Sequence, residues 1–131
     1  MLLDSEVLVL IALTIEARLL AYAPYSKYLV GAAVVTEDDR VYFGVNVENA
    51  SYGLALCAER SAISSAIVGG ASRLKAVIVV TESEIPGTPC GACRQWMAEF
   101  ADDTLPVIVA NTTGFHKTYT LGQLLPEAFR L

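Results

Sequence analysis

The stretch Leu74-Lys75-Ala76-Val77-Ile78-Val79-Val80-Thr81 decides the fold. From Ala76 to Val80 it has no polar residue to turn toward water, which suits a strand covered on both faces. Upstream, Gly69-Gly70 is a glycine terminus for a helix that begins near Cys57. Downstream, a helix is expected from Gly91 to about Ala101, then a buried strand at Leu105 to Ala110. His116 to Leu121 suits an edge strand, and a short helix around Leu121 to Leu125 follows. Toward the N-terminus, Leu29 to Thr36 and Val41 to Val47 flank the polar turn Glu37-Asp38-Asp39-Arg40, a hairpin signal. Asp4 or Ser5 suits the cap of a first helix running to about Ala21, before Pro24 interrupts. A hairpin followed by β-α-β-α-β alternation predicts an α/β protein, a three-layer α/β/α sandwich around a mixed sheet of about five strands.

No repeat, linker or low-complexity segment divides the chain, so residues 1–131 read as a single domain. Hydrophobic residues make up 54% and charged residues 18%, a globular balance rich enough in apolar surface to favour self-association. The net charge is −5 and the basic residues are scattered, which argues against a nucleic-acid partner. Val7 to Ile15 is too short for a membrane span, which needs about 20 apolar residues. Asp4 and Glu6 stand where a signal peptide would carry positive charge. A buried N-terminal helix and a cytoplasmic protein are the expectation.

The three cysteines cannot form a complete disulfide set. Cys57 stands at the start of one predicted helix; Cys90 and Cys93, in Pro89-Cys90-Gly91-Ala92-Cys93, open another. A Cys-x-x-Cys pair alone fits redox chemistry as well as a metal. A third cysteine at a second helix tip favours one zinc ion per chain, and three ligands leave the fourth tetrahedral position open, the mark of a catalytic site. Glu59 lies on the side of its helix that carries Ala62 and Ile63, where a carboxylate is costly without a purpose; capping of the first turn is the plainer explanation. In the next helix Cys93, Trp96, Met97 and Phe100 mark an inward stripe. Three thiolates on Zn²⁺ leave a net −1, and Arg60 and Arg94, next to motif positions, are placed to donate hydrogen bonds to sulfur and offset it; Arg94 suits an exposed face equally. Asn46 and Glu48, two apart on a strand, share a face and suit either a ligand or a solvated strand end. The single His116 has no paired ligand nearby and reads as a surface residue.

Cys57-Ala58-Glu59 with Pro89-Cys90-Gly91-Ala92-Cys93 resembles the zinc deaminase signature with cysteine as first ligand. Asn46-Val47-Glu48-Asn49-Ala50-Ser51-Tyr52-Gly53, Tyr25-Ser26-Lys27-Tyr28, Cys93-Arg94-Gln95 and Leu124-Leu125-Pro126-Glu127-Ala128-Phe129 narrow the resemblance to the small homotetrameric cytidine deaminases. The resemblance implies hydrolysis of free cytidine and deoxycytidine for pyrimidine salvage, with zinc-activated hydroxide attacking C4. It implies Cys57, Cys90 and Cys93 as zinc ligands and Glu59 as proton shuttle. Asn46 and Glu48 would bind the ribose 3′-hydroxyl, the backbone around Ala58 the pyrimidine edge, and the Thr88 carbonyl the amine. Tyr28 stands where the family has a phenylalanine stacking on the base; a tyrosine keeps the π-face and adds a hydroxyl that needs a partner. Phe129 would enter a neighbouring subunit's pocket, with Tyr52 near the subunit junction. A deaminase of modified nucleosides, a nucleic-acid editing deaminase and a structural zinc module share parts of this pattern. A polynucleotide enzyme would need a basic open groove, and a structural site usually has four protein ligands.

Overall fold

In the computed structural model, which describes residues 2–131, the apolar run becomes β3 (Leu74–Thr81), the middle strand of a five-stranded sheet. Its neighbours are β1 (Gly31–Thr36), antiparallel, and β4 (Pro106–Asn111), parallel. Beyond them lie the edge strands β2 (Val41–Val45) and β5 (His116–Thr120), both antiparallel, giving the order β2-β1-β3-β4-β5.

Side-chain alternation along the three inner strands divides the core in two. Ala33 and Val35, Ala76, Ile78 and Val80, and Ile108 and Ala110 face α1 (Asp4–Arg18), which covers one side alone. Ala32 and Val34, Val77 and Val79, and Val107 and Val109 face α2 (Ala58–Val68) and α3 (Gly91–Phe100) on the other. This is the expected α/β/α sandwich with a mixed sheet. A four-residue helix, α4 (Leu121–Leu124), leads into the C-terminal tail.

Two close approaches fix the helices on the sheet. A side chain at Gly44 of β2 would stand inside the van der Waals shell of Ala62 N and Ala58 O, so the first turns of α2 lie directly on strand backbone. Gly31 of β1 meets Thr14 O and Arg18 of α1 in the same way. The C-terminus of α2 closes as a Schellman motif: Gly70, at φ 94°, donates to Ile67 O, and Ala71 N donates to Ala66 O.

Several local expectations are corrected. Neither Asp4 nor Ser5 caps α1; Leu3 precedes its first turn, and Glu6 Oε1 accepts from the Leu3 N–H at 2.9 Å. The helix ends at Arg18, three residues short of Ala21, because the chain must turn there to bring Tyr22 beside Asn46 and Val47. It is also only half buried: Leu10, Ile11 and Thr14 face the sheet, whereas Leu8, Val9 and Leu13 are exposed. In α3, Cys93 and Met97 are buried, but Trp96 is 38% exposed, since a single sheet face covers a narrower stripe than the apolar pattern offers.

Candidate functional site

The two helix tips that carry cysteine converge. α2 begins just after Cys57 and α3 just after Cys90, both from extended residues, and Cys93 lies one turn further into α3. The three Sγ atoms lie within 4.8 Å of one another, and Cys57 Sγ is 3.9 Å from Cys90 Sγ. Thiolates around a tetrahedral zinc ion at about 2.3 Å stand roughly 3.8 Å apart, so the cluster suits that ion. Among the described residues no other group of three Cys, His, Asp or Glu ligand atoms is close enough to share a metal.

Electrostatics point the same way. The Cys93 thiol donates to Cys57 and, with help from Arg60, lowers the Cys57 pKa to about 5. That same hydrogen bond, then burial and the nearby Glu59 charge, pushes the Cys93 thiol upward. Between Cys57 and Cys93 the protein alone therefore favours the thiolate at Cys57, whereas a divalent cation among the sulfurs favours thiolates throughout. Glu59, in the first turn of α2 and 5% exposed, faces this cluster, and burial raises its pKa to about 7.

Beside the sulfurs opens a cleft of about 360 Å³. Glu59, Ala58, Cys57 and Cys90 border its metal end; Tyr28, Asn46, Glu48 and Thr88 form its walls. Residues from four separate stretches of sequence thus reach one cavity. Asn46 is already braced, accepting from Val30 N at 2.8 Å and donating to Tyr28 O at 2.9 Å. One amide hydrogen is left over for a ligand. Glu48 accepts from the backbone N–H of Tyr25 and Ser26 and from the Ser26 hydroxyl, and these bonds hold its carboxyl below the usual range.

The stretch from residue 5 to residue 109 matches the model of the cytidine and deoxycytidylate deaminase zinc-binding region. The chain belongs to this family. It is 47% identical over 120 residues to the cytidine deaminase of Sporosarcina psychrophila, covering 92% of this chain and 88% of that one. It is 41% identical over 111 residues to the cytidine deaminase of Mycobacterium tuberculosis, covering 85% of this chain and 80% of that one. The crystal structure of cytidine deaminase from Burkholderia pseudomallei superposes with a TM-score of 0.88 at 50% identity, over 92% of this chain and 97% of that one. Zinc is accordingly the metal, and the three cysteines are positioned to coordinate it.

Within this deaminase fold the two arginines separate. Arg60 donates to Cys57 Sγ at 3.4 Å, as the sequence suggested. Arg94 does not bond to sulfur; it donates to Pro89 O at 2.7 Å, Leu124 O at 2.5 Å and Thr88 Oγ1 at 3.2 Å. Carbonyl oxygens are the better acceptors, and the turn before Cys90 presents them to the guanidinium. Arg94 therefore ties the Thr88–Pro89 turn to the C-terminal segment. Phe129 is 71% exposed and does not line its own chain's cleft. The tail around it is fixed: Gln95 donates to Phe129 O, and Arg130 bonds Ala98 O, Ala101 O and Asp103. Tyr52 is 79% exposed and meets Tyr25 edge-on at 6.3 Å. His116 bonds the backbone of its own turn, outside the metal cluster. No sequence signal points to Ser83, whose hydroxyl meets that of Tyr28; Ser83-Glu84-Ile85-Pro86-Gly87 has no periodicity to place it.

Proposed function

We propose that this chain hydrolyses the exocyclic amine of free cytidine and deoxycytidine, consuming water and releasing ammonia with uridine or deoxyuridine, in pyrimidine salvage. The observation that carries the reading is Glu59, a buried carboxylate facing three clustered sulfurs at the end of a nucleoside-sized cleft.

Cys57, Cys90 and Cys93 hold the zinc. When bound there, zinc supplies the Lewis acidity that brings the pKa of water to about 7. Glu59 moves both protons of the attacking water in turn, passing one to N3 and the other to the departing amine, while the oxygen stays on C4 as the new carbonyl. Its pKa near 7 suits traffic in both directions at neutral pH. Ala58 is the first residue of α2, so its N–H has no acceptor within the helix and is free for the pyrimidine carbonyl. The Thr88 carbonyl accepts from the amine, Tyr28 stacks on the base, and Asn46 with Glu48 holds the ribose 3′-hydroxyl. Arg60 offsets the negative charge of the thiolates; Arg94 supports the site through the Thr88–Pro89 turn.

Residues 1–131 act as one domain in the cytoplasm, and four chains assemble so that Phe129 of each completes a neighbour's site. The exposed apolar residues of this acidic chain support assembly with copies of itself rather than with nucleic acid. No helix among the described residues is long and apolar enough to cross a membrane.

The test is to incubate purified protein with cytidine and measure ammonia release. Wild type turns over, and Glu59→Ala keeps its zinc and fold while losing about 10²–10⁴-fold in rate. Surviving activity in that variant, or loss of its zinc, contradicts the assignment.

A further inference from the structure

The cleft has two walls far apart in sequence, the Tyr25–Val30 segment and the turn from Glu82 to Pro89 that delivers Thr88 and Cys90. They meet at one side-chain bond, between Tyr28 Oη and Ser83 Oγ. The backbone of Tyr28 is held on both sides: its N–H donates to Ser26 Oγ at 3.0 Å, and its carbonyl accepts from Asn46 Nδ2. The ring still has two torsions, and the hydroxyl bond is what fixes its far end.

Ser83 is itself anchored between two fixed residues. Arg18, buried at the end of α1, donates to Glu82 Oε2 at 3.1 Å and to Leu29 O at 3.0 Å. Asn111, buried at the end of β4, donates to Glu84 O at 2.9 Å. One neighbour of Ser83 is thus tied to the first helix and the other to the sheet. The Tyr28 ring hangs from the point between them.

We infer that Ser83 is a positioning residue for nucleoside binding, holding the Tyr28 ring at the angle that forms the base-facing wall. The inference rests on the proposed deaminase reading and deepens it. A ring cut loose from Ser83 samples other rotamers, and the substrate must reorder it on binding. That cost falls on the bound state as a whole and raises KM more than it lowers kcat.

The experiment measures KM and kcat for cytidine in wild type, Ser83→Ala, Ser83→Thr, Tyr28→Phe and the double variant Ser83→Ala/Tyr28→Phe, with thermal unfolding followed alongside. Ser83→Ala raises KM about fivefold, the scale of one ordinary hydrogen bond, with a smaller change in kcat. Ser83→Thr restores KM because it keeps the hydroxyl. In the Tyr28→Phe background, Ser83→Ala adds nothing further, since the bond is already gone. A lower melting temperature with unchanged KM, or additive effects in the double variant, overturns the inference and leaves the deaminase reading intact. Wild-type protein that releases no ammonia from cytidine overturns both.

Discussion

Two charged residues show how position sets chemistry. Arg60 and Arg94 follow cysteine motifs in the same way, yet only Arg60 reaches sulfur. Arg60→Gln removes a charge-assisted hydrogen bond and should lower kcat/KM about tenfold, with the acid limb of its pH profile moved to higher pH. An unchanged profile would remove Arg60 from the catalytic account. Glu48 makes a separate, pH-dependent prediction. The Ser26 hydroxyl, then the backbone N–H groups of Ser26 and Tyr25, hold its pKa below the unfolded value of about 4.3. The folded chain thus binds this proton less readily than the unfolded one. The stabilisation is present above the ordinary carboxylate range and disappears as pH falls through the lowered pKa. Thermal unfolding of wild type and Glu48→Gln should show a gap that is widest near neutrality and narrows in acid; a constant gap would count against the sign. Sequence named Glu48 and Asn46 as one pair, and both reach the cleft. Their use as braces for the Tyr25–Val30 segment could not be read from it, because those bonds join stretches 16 to 23 residues apart.

Among the elements, the ones with strong patterning or glycine punctuation were legible: β3 from its unbroken apolar run, α2 from its start near Cys57 and its stop at Gly69-Gly70, the hairpin from its polar turn. The limits of α1 and the outward turn of Trp96 were not, because they depend on how wide a surface the sheet offers. Gly44 was likewise silent as a letter, although it lets β2 touch the backbone of α2 directly beneath Glu59's turn. Gly44→Ala should push α2 away from the sheet, lower the melting temperature by about 5–10 °C and reduce activity with it. A variant as stable and active as wild type would show that the contact relaxes freely.

At the scale of the whole molecule, the three layers bring two helix tips together and leave a cleft beside them, while Phe129 stands away from its own cleft on a tethered tail. If Phe129 serves a neighbour, Phe129→Ala raises KM without dissociating the oligomer. Mixing Phe129→Ala chains with inactive Glu59→Ala chains then regenerates sites that pair an intact Glu59 with a partner's intact phenylalanine. Absence of that complementation places each site within a single chain. The central claim, that zinc held by three cysteines and served by Glu59 deaminates cytidine, is tested most directly by titrating zinc into metal-depleted protein while cytidine turnover is recorded. Turnover should rise in proportion to bound zinc and level off at one ion per chain. Protein carrying its full zinc and leaving cytidine untouched would contradict the account.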